Sequence, residues 1–211
     1  MTGLPTPVPQ DPLPTVAAWL AEVTTGGRVR NPNALALATA DAAGRPSARM
    51  VLVKHLAPEG YLVFYTSYGS RKAPELDGTG RAAGVLYWEE LGRQVRFEGR
   101  VLRSPAPESD EYFASRPARS QLNAWASRQS EPLADLTELD RRAAEKAREV
   151  HGGAISRPPS WGGYRLWFDA LELWAEGADR FHERLRYTRD LAPADAFGFR
   201  VGPWSWQRLQ P

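Results

Sequence analysis

Between Ala34 and Leu102 the chain offers five short apolar runs separated by tight polar turns, and this rhythm constrains the fold more than any other feature. Ala34 to Ala40 is followed by the turn signal Asp41-Ala-Ala-Gly44. Ser47 to His55 and Tyr61 to Thr66 read as the next two strands, with Pro58-Glu-Gly60 between them. Ala82 to Trp88 and Arg93 to Leu102 follow, joined by Glu89-Glu-Leu-Gly92. In the last run Val95, Phe97 and Gly99 face one way and Arg96, Glu98 and Arg100 the other, the two-residue period of a strand. Such a succession specifies an antiparallel barrel and argues against a doubly wound sheet, which would place a helix after each strand.

Helical patterns surround this core. Thr15 to Val23 gathers Val16, Trp19, Leu20 and Val23 on one face, with Gly26-Gly27 beyond its end and a proline-rich, extended arm before it. Ser70 to Leu76 reads as a brief helix. Glu108 to Ser115, Arg119 to Ser127 and Leu133 to Val150 form a helical stretch, followed by a loop from Gly152 to Gly163. Strand patterns return at Tyr164 to Trp174, Arg184 to Thr188 and Trp204 to Leu209. The expected class is α+β, mainly β. An arm and short helix occupy 1–32, and one domain covers 33–211 with a helical insertion at about 107–150.

Composition narrows the chemistry. The chain has 211 residues, enough for a proper core, and no cysteine, which excludes disulfides, thiolate metal sites and a cysteine nucleophile. Its three histidines, His55, His151 and His182, lack metal-ligand spacing, so no metal is expected. A net charge of +2 argues against general nucleic-acid binding, while local arginine clusters suit small phosphorylated ligands. No apolar run is long enough to span a bilayer, and a cytoplasmic location is expected.

Four segments carry more polar specificity than a barrel needs. Arg49-Met-Val-Leu-Val-Lys54 sets a cation at each end of a strand, a pattern that is more often a solvated strand end. Phe64-Tyr-Thr-Ser-Tyr-Gly-Ser-Arg-Lys72 combines hydroxyls, a glycine and two cations, which suits an anion or a plain polar loop. Tyr112 and Arg116 share a face if they lie on one helix, and Ser120 begins the next helix. Arg180, His182 and Arg184 alternate, and in a strand would share a face that is costly to bury without an anion. An exposed strand paired to Glu176 or Glu183 is the plainer alternative. Two cationic groups with hydroxyl partners suggest two phosphates. Trp125, Trp161, Trp167, Trp204 and Trp206 are expected in the core or at an interface.

These motifs resemble the pyridoxamine/pyridoxine 5′-phosphate oxidases from Asn33 to the end. The match runs in order through Arg49–Lys54, Phe64-Tyr-Thr66, Gly69-Ser-Arg-Lys72, Arg93-Gln-Val95, Tyr112-Phe113, Ser115-Arg-Pro117 and Ser120-Gln-Leu122. It continues through Ala124–Ser130, Pro159-Ser-Trp-Gly-Gly163, Arg180-Phe-His182, Arg184 and Arg208–Pro211.

The resemblance implies a split antiparallel β-barrel with surrounding helices, assembled as a homodimer with FMN at the subunit interface. It assigns Arg49, Met50, Val51, Leu52, Val53, Lys54, Tyr65, Thr66, Arg71, Lys72, Gln94, Gln129, Ser130, Trp174 and Arg184 to FMN. It assigns Lys54, Tyr112, Arg116 and Ser120 to the substrate phosphate, and Arg180 and His182 to the substrate ring as the catalytic pair. The implied reaction oxidises pyridoxamine or pyridoxine 5′-phosphate to pyridoxal 5′-phosphate with O2 and releases peroxide. The proline-rich arm, Ala34–Thr39, Gly84–Trp88 and His182–Tyr187 are also similar to a sister branch, the FMN oxidases of phenazine biosynthesis. Lys54, Arg116, Ser120 and Gln121 favour a phosphorylated substrate over a tricyclic acid. A non-catalytic flavin- or haem-binding barrel would need neither the second phosphate group nor Arg180 and His182.

Overall fold

In the computed structural model, residues 3–151 and 153–211 are described; Met1 and Thr2 of the arm and Gly152 of the long loop lie outside them. The fold is α+β, a curled antiparallel sheet of the split-barrel type with helices around it. The proline-rich segment enters α1 (Leu13–Gly26), whose Val16, Trp19 and Val23 are buried and whose end is marked by Gly27 at φ 63°. Next come β1 (Ala34–Ala40) and β2 (Pro46–Leu52), paired from Ala34↔Leu52 to Ala40↔Pro46.

The single strand expected over Ser47 to His55 is broken. Val53 is turned into the core, with its N–H donating to Asn33 O, and a separate β3 (His55–Ala57) starts beyond Lys54. β4 (Tyr61–Ser67), α2 (Lys72–Thr79), β5 (Arg81–Trp88) and β6 (Arg93–Arg103) follow. β6 buries Val95, Phe97 and Val101 on one face, as its alternation requires.

Three helices, α3 (Ala106–Ser115), α4 (Ala118–Ala126) and α5 (Thr137–Glu149), intervene before the longest strand, β7 (Trp161–Ala175). β7 is the spine of the sheet. β6 runs along one side of it, while the other side is shared by β4 (from Trp161 to Trp167) and β8 (Glu183–Thr188, from Ala170 to Ala175). The main path is β8-β7-β6-β5-β1-β2, so β2 forms an edge, and β11 (Ser205–Arg208) closes the other. A hairpin of β9 (Leu191–Asp195) and β10 (Gly198–Val201) had no counterpart in the sequence reading.

Opposite β6 the register of β7 slips between Glu98 and Gly99, leaving Asp169 as an extra residue. Gly99 is needed there, because a Cβ would lie 1.8 Å from Trp167 O. The N-terminal segment is tied across β8 and its surroundings. Leu4 is buried, Tyr187 Oη donates to Pro9 O over 3.1 Å, and Gln10 Nε2 donates to Trp204 O.

Candidate active site

A cavity of about 910 Å³ opens between the β2 edge, the end of β4, the start of α2 and the α3–α4 segment. It brings together Arg49, Met50, Val51, Leu52, Lys54, Tyr65, Thr66, Arg71, Lys72, Tyr112, Arg116, Ser120, Gln129 and Ser130. Val53 is near in sequence but its side chain belongs to the core. The volume suits a cofactor together with a small substrate.

At one end stand Arg49, Arg71 and Lys72. The Lys72 ammonium is buried and donates to Thr66 Oγ1 and Ser70 Oγ, each at 2.9 Å, and to Gln129 Oε1 at 3.3 Å. These are neutral acceptors. Burial, with the repulsion of Arg49, therefore lowers its pKa to about 8 despite the opposing pull of Glu75. The backbone N–H of Arg71 donates to Ser130 Oγ at 3.2 Å, and Ser130 itself sits at φ 77°. A non-glycine residue held in the left-handed region marks a loop whose surroundings over-determine it.

Beneath these cations lies Glu75, a buried carboxylate that sequence reasoning missed. Thr39, Ser47, Arg49 and Arg71 all donate to it. Burial alone would raise its pKa, but these hydrogen bonds prevail and hold it at about 2. The signal was its place one helical turn beyond Arg71.

The other end is aromatic. Tyr65 stacks on Tyr112 at 4.0 Å and on Trp161 at 5.4 Å between ring centroids. The Arg116 guanidinium lies over Trp161 at 4.7 Å, and Lys54 Nζ stands 5.8 Å from the Tyr112 ring. Arg116 Nη1 is buried and meets no acceptor among the described residues. An oxyanion brought into the cavity would satisfy it. Trp161, expected in the core or at an interface, is buried but also walls the site; its signal was its place in the Pro159-Ser-Trp-Gly-Gly163 motif.

Two local expectations change here. Arg116 does not continue α3; it caps it in extended backbone at ψ 150°, because Pro117 disfavours helical geometry in the residue before it. Arg116 and Tyr112 nonetheless line the same cavity. α4 begins at Ala118 behind Pro117, so Ser120 is its third residue rather than its first.

The remaining predicted residues form a second cluster, on β6, β7 and β8. Gln94 is opposite Trp174 and Trp174 opposite Arg184, so the three share a face. The His182 ring packs 4.7 Å from Trp174, and His182 Nδ1 accepts from the Gly177 N–H at 3.4 Å. Acceptance at Nδ1 leaves Nε2 to carry the proton of the neutral ring.

The expected strand through Arg180, His182 and Arg184 is absent, since only Arg184 lies in β8. Asp179 at φ 52° and Arg180 at φ 65° form a tight turn that no strand can accommodate. Arg184 pairs with neither Glu176 nor Glu183 but with buried Glu172, at 2.8 Å. Arg96 reaches the same carboxylate at 3.3 Å. Trp161 and Trp174 stand near opposite ends of β7, about 40 Å apart along an extended strand. Within one chain the two clusters are thus separate.

No group of metal-ligating side chains is found among the described residues, and no helix among them is long and apolar enough to cross a membrane.

The family described as pyridoxamine 5′-phosphate oxidase matches residues 26–151, and a pyridoxine 5′-phosphate oxidase C-terminal dimerisation region matches residues 161–211. A pyridoxine/pyridoxamine 5′-phosphate oxidase of Rubrobacter xylanophilus is 47% identical over 95% of this chain and 87% of its own length. One of Cereibacter sphaeroides is 46% identical over 95% of both. Among solved structures, PhzG from Burkholderia lata 383, in complex with tetrahydrophenazine-1-carboxylic acid, superposes with a TM-score of 0.85 at 38% identity, covering 98% of this chain and 95% of that one. A pyridoxamine 5′-phosphate oxidase-related, FMN binding protein from Nostoc punctiforme shares the fold, with a TM-score of 0.71 at 16% identity over 94% of this chain and 96% of that one.

Proposed function

The chain belongs to the pyridoxamine 5′-phosphate oxidase family, and on that premise we propose that it is an FMN-dependent oxidase forming pyridoxal 5′-phosphate from pyridoxamine or pyridoxine 5′-phosphate. Molecular oxygen is the electron acceptor and hydrogen peroxide the by-product. The observation that supports this reading best is one cavity with two cationic ends, Arg49/Arg71/Lys72 at one and Lys54/Arg116 beside the Tyr65–Tyr112–Trp161 stack at the other. Two phosphorylated molecules, cofactor and substrate, account for both ends.

In this reading Arg49, Arg71 and Lys72 neutralise the FMN phosphate, with Thr66, Gln129 and Ser130 completing its hydrogen bonds. Met50 to Leu52 lie on the edge strand β2, whose outer backbone groups are open to the flavin ring. The chemistry that a bound FMN supplies is two-electron oxidation of the substrate, with passage of the electrons to oxygen. Lys54, Tyr112, Arg116 and Ser120 anchor the substrate phosphate. Anchoring at that end sets the distance and angle of the reacting carbon, and positioning of this kind carries much of the rate.

Gln94, Trp174 and Arg184 take the far side of the flavin, and Arg180 and His182 orient the substrate ring. They do so from a second copy of the chain. Trp174, Arg180, His182 and Arg184 lie inside the stretch that matches a dimerisation region, and Met50, Leu52 and Phe181 are exposed apolar side chains beside the two clusters. A two-fold dimer would bury them and join one cluster from each chain.

The test is to load the protein with FMN and follow pyridoxal 5′-phosphate and peroxide from pyridoxamine 5′-phosphate in air. FMN-dependent formation of both supports the reading. FMN binding without turnover of either phosphorylated substrate sinks it. The likeness to the Burkholderia lata protein favours a second reading, oxidation of a reduced tricyclic acid. Turnover of a reduced phenazine carboxylate in place of the phosphorylated substrates would select that one.

A further inference from the structure

Glu75 ties three elements together beneath the cationic end of the cavity. Its Oε2 accepts from Thr39 Oγ1 on β1, from Ser47 Oγ on β2 at 2.7 Å and from Arg49 Nη2 on β2 at 3.2 Å. Its Oε1 accepts from Arg71 Nε at 3.0 Å. The carboxylate is only 6% exposed, whereas the Arg71 side chain it grips is 63% exposed. Arg49 is further committed, with Nη1 donating to Thr39 and Leu37 O and Nη2 to Ser47. Arg71 differs: its side chain is held only at Nε among the described residues, and Nη1 and Nη2 are left free at the cavity wall.

We propose that Glu75 is a positioning residue for the cofactor phosphate, clamping Arg71 by Nε so that Nη1 and Nη2 form a preset fork. This rests on the FMN reading. A guanidinium gripped at Nε presents its two outer nitrogens as the pair that matches two phosphate oxygens. Without the clamp, an exposed arginine must surrender its rotamer freedom when the phosphate arrives, a cost worth about fivefold in affinity. Glu75 also leaves the three cations with two net positive charges, which match a phosphomonoester of nearly two negative charges at neutral pH. The opposing effect is repulsion between Glu75 and that phosphate. Its charge is already shared among two guanidiniums and two hydroxyls, so the clamp prevails.

The test compares FMN with riboflavin, which lacks the phosphate, by quenching of flavin fluorescence on apo-protein. Wild type should prefer FMN. Glu75→Gln, which keeps volume, should lower that preference about fivefold with riboflavin affinity unchanged. In an Arg71→Ala background the same change should have little further effect, because the two act as one unit. An unchanged or increased FMN preference in Glu75→Gln, or full additivity with Arg71→Ala, overturns the proposal. Equal loss of both flavins would mark Glu75 as structural only and overturn it too. A wild type without preference for FMN would fail the cofactor reading itself. Should Glu75→Gln not fold, Arg71→Lys keeps the charge but cannot form the fork, and an undiminished FMN preference there is equally fatal.

Discussion

The Arg116 guanidinium stands over the Trp161 indole, 4.7 Å from its centroid, with Nη1 buried and meeting no acceptor among the described residues. The aromatic face replaces part of the lost hydration, and burial lowers the Arg116 pKa without discharging it at neutral pH. Such a group is prepared for a phosphate oxygen. Arg116→Lys should raise KM for pyridoxamine 5′-phosphate about 10- to 100-fold, the worth of a charge-assisted hydrogen bond. FMN affinity should stay at the wild-type value. Steady-state kinetics beside a flavin titration checks both, and a loss of FMN with unchanged KM would contradict the assignment.

On the proposed assignment, Lys72 should make cofactor retention depend on pH. Its pKa in the folded chain is about 8, against 10.5 for an ordinary lysine. Between those values the unfolded chain binds the extra proton and the folded chain does not, so apo-protein stability should rise with pH across about 8 to 10.5. Phosphate binding needs the charged ammonium, so FMN affinity should fall as pH passes about 8, where the phosphate itself no longer titrates. Flavin titrations from pH 7 to 10 on wild type and Lys72→Met check this. A slope that survives in Lys72→Met would assign it to another group.

The division of the site between two clusters predicts complementation. Arg116→Ala and Arg180→Ala should each be nearly inactive alone. Mixed dimers would hold one wild-type site, joining the intact cavity of one chain to the intact turn of the other. Co-expression should therefore restore about a quarter of wild-type activity, half the dimers being mixed with one of two sites intact. No recovery would place both clusters' function within one chain.

Gly99→Ala should destabilise the barrel by about 3 kcal/mol, because its Cβ would run into the Trp167 carbonyl at the β7 bulge. For a chain of this size, Tm should fall by about 6–12 °C. Thermal melts followed by tryptophan fluorescence would show it. A near-neutral Tm would mean that the bulge yields.

Most strands were legible because one face of each is buried, and burial imposes a two-residue period that local sequence records. β1 matches the predicted Ala34 to Ala40 in full, and β6 needed one further residue, Arg103. The break at Val53 was not legible, because an unbroken apolar run carries no mark of where the backbone bends to meet Asn33. Nor was the β9–β10 hairpin, whose residues are mostly exposed and so lack a periodic apolar face. The turn at Asp179–Arg180 was hidden for another reason: alternation of Arg180, His182 and Arg184 satisfies a strand pattern even where left-handed dihedrals forbid one.

By itself the sequence determined the strand rhythm, the helical stretch between β6 and β7, and the residue types able to hold two phosphates. These depend on local periodicity and on side-chain chemistry. Tertiary structure alone decided which of those residues meet. It gathered β2, β4, α2 and α3–α4 around one cavity and carried Gln94, Trp174 and Arg184 to the far end of β7. It also sank Glu75 beneath the cations and turned Trp161 into the cavity wall. Partner choice for a buried charge is settled by long-range packing, because a carboxylate taken out of water must find donors wherever the fold brings them.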